Sequence, residues 1–125
     1  MTEDGHVASF RAADAYAVEV VRAAQRIGTG RDATLLRELR RSALRCGGAL
    51  VAASVAHPTS VTAKASLEAA RGALAEGGYY LYLARRFGLL DARGYRALRV
   101  RQEAALKELT GLLDRSSSSV EAPEP

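Results

Sequence analysis

Leu67-Glu-Ala-Ala-Arg-Gly-Ala-Leu-Ala-Glu-Gly-Gly-Tyr-Tyr-Leu-Tyr-Leu-Ala-Arg-Arg-Phe-Gly88 is the stretch that decides the fold. Leu67, Ala70, Leu74, Gly77, Leu81 and Ala84 follow one another at alternating steps of three and four. That spacing draws one continuous stripe along a helix of about 3.6 residues per turn. A strand would need alternation at every second residue, which the stretch lacks. Gly88 stands where the stripe stops and suits a helix C-terminus, because glycine enters the left-handed region without a Cβ clash.

The same spacing recurs on both sides. Upstream run Leu35, Leu39, Ala43, Cys46, Leu50 and Ala53, with Asp32 placed to cap the helix and Pro58, in His57-Pro-Thr-Ser60, placed to stop it. Further upstream, Phe10, Ala13, Ala17, Val20, Ala24 and Ile27 form a ladder that Gly28 and Gly30 end. Downstream, Leu89 and Leu90 make a tight connection, Asp91 is placed to cap, and Tyr95, Leu98, Gln102, Ala105, Leu109 and Leu112 form the last stripe. Four helices of similar length with short connections imply antiparallel neighbours. The chain is therefore expected to be all-α, an up-down-up-down antiparallel four-helix bundle over residues 8–114, with a flexible N-terminus at 1–7 and a disordered Ser/Pro tail at 115–125. Alanine and glycine are abundant on the inner stripes, and the pairs Gly47-Gly48 and Gly77-Gly78 read as places where helices approach closely.

Length and composition agree with one globular domain: 125 residues, 48% hydrophobic and 26% charged. The formal charge is +4, and it comes from arginine, since Lys64 and Lys107 are the only lysines. Arginine suits phosphate and carboxylate partners through its bidentate fork, although a GC-rich genome would also favour it. Cys46 is the only cysteine, which rules out an internal disulfide and fits a reducing compartment. The opening Met1-Thr-Glu-Asp-Gly5 lacks the basic and apolar regions of a signal peptide, and no apolar run approaches membrane-spanning length. A cytoplasmic protein without membrane contact is expected.

Catalytic signatures are missing. His6 and His57 are the only histidines, and neither sits in an ExxH or HExxH spacing, so bundle zinc and di-iron sites have no support. No arginine lies four to six residues before either histidine, which removes the HEPN ribonuclease signature. No phosphate-binding glycine loop occurs, and Cys46 lies on a core stripe without a nearby base. The expectation is a protein that is not an enzyme and needs no cofactor or metal.

Two surface features go beyond a plain bundle. On the second helix, Leu44, Gly48, Val51 and Val55 fall opposite the core stripe, and on the third Tyr79 and Leu83 do the same, flanked by Tyr80 and Tyr82. So many apolar positions on a small bundle indicate a subunit interface, with Leu44, Val51, Val55, Tyr79 and Leu83 as its residues. A second reading treats the tyrosines, interleaved with Arg85 and Arg86, as a stacking platform for unpaired bases. The other feature is charge polarity. In up-down order Arg22, Arg26, Arg31, Arg37, Arg40, Arg41, Arg85, Arg86, Arg93, Arg96 and Arg99 map to one end of the bundle, and acidic residues such as Glu3, Asp4, Asp14 and Asp114 to the other. A concentrated positive pole attracts a polyanion.

Ala70-Arg-Gly-Ala-Leu-Ala-Glu76, followed by Leu81, Ala84, Arg86, Phe87, Gly88, Leu89 and Leu90, resembles the signature of the four-helix bundle proteins encoded in bacterial 23S rRNA intervening sequences. Leu39-Arg-Arg-Ser-Ala43, and Phe10 with Tyr16, resemble that family's second-helix and opening patterns, so the resemblance spans Phe10 to Leu113. Two departures stand out: Ala49-Leu-Val-Ala-Ala53 replaces the family's Asn-Ile-Ala-Glu-Gly, and Gly77 stands where a leucine is usual. The resemblance implies a bundle that assembles into a ring, commonly a pentamer. Its relatives include the accessory protein of diversity-generating retroelements, which binds structured RNA and a reverse transcriptase through a basic surface.

Together these readings give a non-catalytic, ring-forming homo-oligomer that binds nucleic acid, RNA before DNA, and that on the resemblance serves a reverse transcriptase. Arg37, Arg40, Arg41, Arg85, Arg86, Arg93, Arg96 and Arg99 are the expected contacts. The alternative is an oligomeric protein-interaction scaffold that never meets nucleic acid.

Overall fold

The computed structural model describes residues 2–28, 30 and 32–121 and is built from four helices: α1 (Thr2–Ile27), α2 (Ala33–Val55), α3 (Val61–Arg86) and α4 (Ala92–Glu121). No strand occurs among the described residues. The helices pack as neighbours in the cyclic order α1, α2, α3, α4, with α4 returning to α1, which makes a four-helix bundle around one core.

The stripes of α3 and α4 are buried as their spacing predicts, from Leu67 to Ala84 and from Leu98 through Gln102 to Leu112. On α2, Leu39, Ala43, Cys46, Leu50 and Ala53 are buried and Leu35 is half-buried. The α1 stripe is turned from the expected one. Phe10 is 43% exposed, whereas Ser9, Ala13, Tyr16, Val20 and Ala23 face inward and Tyr16 is 0% exposed. Ala13, Val20 and Ala24 are common to the expected stripe and the buried face, so the two differ by about half a residue, roughly 50° of rotation. The large Tyr16 side chain reaches Gly77 of α3, which has no side chain to meet it.

The helix ends are set by local chemistry. Ser60 caps α3, its Oγ accepting from Ala63 N at 3.0 Å, and Asp91 caps α4, its Oδ1 accepting from Gly94 N at 2.7 Å. Asp32, expected to cap α2, does not. Its backbone is left-handed, with φ 54°, and its side chain makes no capping bond. A capping side chain needs an extended backbone to fold over the first turn, and the left-handed conformation of Asp32 does not provide one. Gly88 ends α3 at φ 77°, and Leu89 N and Leu90 N both donate to Ala84 O, turning Leu90 into the core.

Both termini are more helical than expected. α1 starts at Thr2, and Gly5 is buried where a Cβ would meet Leu112 and Arg115, so the first turn of α1 is docked on α4. α4 continues through the four serines to Glu121, while residues 122–125 lie outside the described residues. Periodicity reports packing rather than helicity: once a helix is established each added residue gains a bond, and serine is only moderately unfavourable.

Candidate nucleic-acid interface

The expected arginines fall into two groups. On α2, Arg37, Arg40 and Arg41 lie on adjacent turns and, with Leu44 and Arg45, line a shallow groove. Arg37 donates to Thr34 Oγ1 at 3.4 Å, Arg41 stands 3.8 Å from Glu38, and Arg45 pairs with Glu76 across to α3. Arg40 has no carboxylate partner among the described residues. Arg31 lies outside the described residues.

On α3 and α4, Arg85, Arg96 and Arg99 line a second groove of about 500 Å³ with Tyr82, Tyr95 and Glu103. Arg93 and Arg96 border a third hollow with Val100 and Arg101. Arg86 donates to the Tyr82 hydroxyl at 3.0 Å, and its guanidinium carbon lies 5.8 Å from that ring's centroid. Arg85, Arg93 and Arg96 have no carboxylate partner among the described residues. Exposed ion pairs contribute at most about 1 kcal/mol, so even the paired arginines remain open to exchange partners.

Arg99 differs from the rest. It donates to Gln102 Oε1 and lies 3.1 Å from Glu103, while Gln102, 2% exposed, donates from Nε2 to Leu74 O at 2.8 Å. Arg99 is thus tied into a network that joins α4 to α3. Arg45 and Arg101 were not expected at the surface grooves. Arg101 borders the same hollow as Arg93, about two helical turns further along α4. That spacing was legible in the sequence, whereas Arg45 is placed by its link to Glu76 on α3.

The apolar positions stand outside the core as expected. Leu44 is 57%, Val51 52%, Val55 83% and Tyr79 58% exposed, while Leu83 is half-buried. Val51 also joins Val7, Phe10 and Leu50 in an apolar groove of about 470 Å³ between α1 and α2. Gly77 and Gly78 do allow close approach, to Tyr16 and Gln102. Gly47 and Gly48 do not, because a Cβ at either would meet nothing within 4 Å.

Burial pushes the Cys46 thiol up to about 12, so it is held as the thiol rather than the nucleophilic thiolate. Burial first, and then the neighbouring Cys46, also raises the Tyr16 phenol. The Tyr16 hydroxyl and Ser9 Oγ are buried without a hydrogen-bond partner among the described residues. Among those residues no group of three or more His, Cys, Asp or Glu is gathered to hold a metal ion, and no helix is long and apolar enough to cross a membrane.

Comparison with protein-family models, with curated proteins and with solved structures finds no match.

Proposed function

We propose that this chain is a non-catalytic, ring-forming bundle that binds nucleic acid, RNA in preference to DNA, through its arginine-rich surface. The carrying observation is that Arg40, Arg85, Arg93 and Arg96 project from three helices without a carboxylate partner among the described residues. Such uncompensated guanidinia attract phosphates, and a ring would repeat them by symmetry.

In this reading the helices run up, down, up and down. Two sets of contacts support that order: Gly5 with Leu112 and Arg115, and Gly78 with Gln102, each join the earlier part of one helix to the later part of its neighbour. It brings the α1–α2 and α3–α4 connections, and hence both arginine groups, to one end. The exposed Leu44, Val51 and Val55, of which Val51 lines the α1–α2 groove, support assembly of several copies. On the family resemblance the ring is a pentamer, and the RNA partner is delivered to a reverse transcriptase in the cytoplasm.

The test is fluorescence anisotropy of labelled RNA across a salt series, with molar mass from light scattering. Native protein should bind with a steep salt dependence, and Arg40→Glu/Arg93→Glu/Arg96→Glu should weaken binding to every RNA and flatten the slope. Unchanged binding by the triple variant would refute the site. A salt-insensitive oligomer that binds no RNA would favour the scaffold, which the exposed apolar face also supports.

A further inference from the structure

We propose that the α3–α4 groove is a nucleotide slot in which an unpaired base stacks on the Tyr82 and Tyr95 rings while its phosphate is held by Arg85 and Arg96. This rests on the nucleic-acid reading above and goes further, assigning one groove to bases and another to backbone.

The composition of the groove carries the inference. Tyr95 is half-buried against the core and Tyr82, 45% exposed, lies in the same groove, so the wall is aromatic and one of its rings is anchored. A site for phosphates alone gains nothing from such rings. Protein interfaces also use tyrosine and arginine, but here Arg85 and Arg96 face the same space as the rings without carboxylate partners among the described residues, which leaves them open to a phosphate. Planar rings beside free guanidinia match a ligand that is flat at one end and anionic at the other.

Tyr82 also has a neighbour that orients its ring. Arg86, one turn on, donates to its hydroxyl at 3.0 Å and lies 5.8 Å from the ring centroid, an i,i+4 pair with a cation–π component. Such a pair is weakly stabilising and biases the ring toward one orientation. Within the same groove Glu103 neutralises Arg99, which directs the phosphate toward Arg85 and Arg96. The α2 groove makes the contrast: Arg37, Arg40, Arg41 and Arg45 surround Leu44 with no aromatic residue, which suits a backbone and offers a base no stacking partner. Bases inside a duplex are already stacked, so the slot selects single strands and loops.

The experiment measures anisotropy of a labelled A12 RNA strand and a 12-base-pair RNA duplex, at one salt concentration, with the full chain and with Tyr82→Leu and Tyr82→Phe. Tyr82→Leu should lower single-strand affinity about ten-fold and leave duplex affinity unchanged, and Tyr82→Phe should keep the native value. AMP should displace the single strand at concentrations where inorganic phosphate does not. Equal losses on both RNAs, no loss on the single strand, or equal displacement by phosphate would overturn the slot while leaving phosphate binding in place. Saturable AMP binding without binding of either RNA would retain the slot for a free nucleotide and overturn the polymer reading. No binding of any of these probes would overturn both.

Discussion

Gly77→Ala places a methyl group where the core has no room for it. The added Cβ would lie 2.5 Å from the Tyr16 hydroxyl oxygen, 3.3 Å from Ser42 Oγ and 3.5 Å from Tyr16 Cζ. The first distance is about 0.9 Å short of an ordinary contact, which begins at 3.4 Å. Tyr16 is a rigid ring, 0% exposed, and cannot swing away as a flexible chain end could. Overpacking of this kind costs about 1–3 kcal/mol, and the depth of the clash argues for the upper part of that range. Alanine returns about 1 kcal/mol through helix propensity, so the net loss should be about 1–2 kcal/mol. Tyr16→Phe removes the clashing oxygen, which is itself buried without a partner. Alone it should raise stability by about 1 kcal/mol. In the Phe background, Gly77→Ala should become neutral or stabilising, giving a coupling energy of about 2 kcal/mol. Urea denaturation followed by circular dichroism in the far ultraviolet, with all four proteins at one concentration, measures the cycle. Coupling below about 0.5 kcal/mol, or a Tyr16→Phe variant clearly less stable than the native chain, would refute the reasoning.

The open glycines should behave in the opposite way: Gly72→Ala and Gly47→Ala, where a Cβ meets nothing within 4 Å, should each stabilise the chain by about 0.5–1 kcal/mol in the same assay. The two N-caps should separate as well. Ser60→Ala should cost about 1 kcal/mol because Ala63 N loses its acceptor, whereas Asp32→Gly should stabilise by about 1 kcal/mol by relieving a left-handed non-glycine residue. Alkaline pH should destabilise the fold through Cys46. Its thiol titrates at about 12 when folded against an ordinary value of 9.0, so the unfolded chain releases its proton first and stability is lost as pH rises between those values. Unfolding curves from about pH 8 to about pH 11 should show that decline, and Cys46→Ala should make it shallower.

Much of the bundle was legible because α3 and α4 carry one unambiguous stripe each. α1 was not, since Phe10 and Tyr16 both lie on credible ladders and the choice depends on Gly77, sixty-one positions away from Tyr16 in the chain. Asp91 caps α4 as expected, whereas Asp32 fails at α2 for a related reason. Asp32 and Ser60 have equally suitable side chains, but the backbone decides whether one can fold over the first turn: Ser60 is extended and caps, whereas Asp32 is left-handed and does not. Gly47-Gly48 and Gly77-Gly78 are likewise identical pairs, and what distinguishes them is the residue opposite.

The candidate site depends on the core through Gln102. Its amide sits where a Cβ on Gly78 would be, 2.8 Å from that position, and donates to Leu74 O, while its Oε1 accepts from Arg99. A polar side chain buried in this way is satisfied in one register of α4 on α3, because sliding either helix by a turn would leave the amide facing leucine and alanine. That register places Arg96 and Arg99 opposite Tyr82 and Arg85. The spacing of α4 marks Gln102 as a core position, and a lone glutamine there reads as an imperfection. In the folded chain it adds a specific polar contact to the apolar packing that holds α3, with Tyr82 and Arg85, against α4, with Tyr95 and Arg96, so Arg99, a surface arginine by its spacing, is tied to the core as well as to the site.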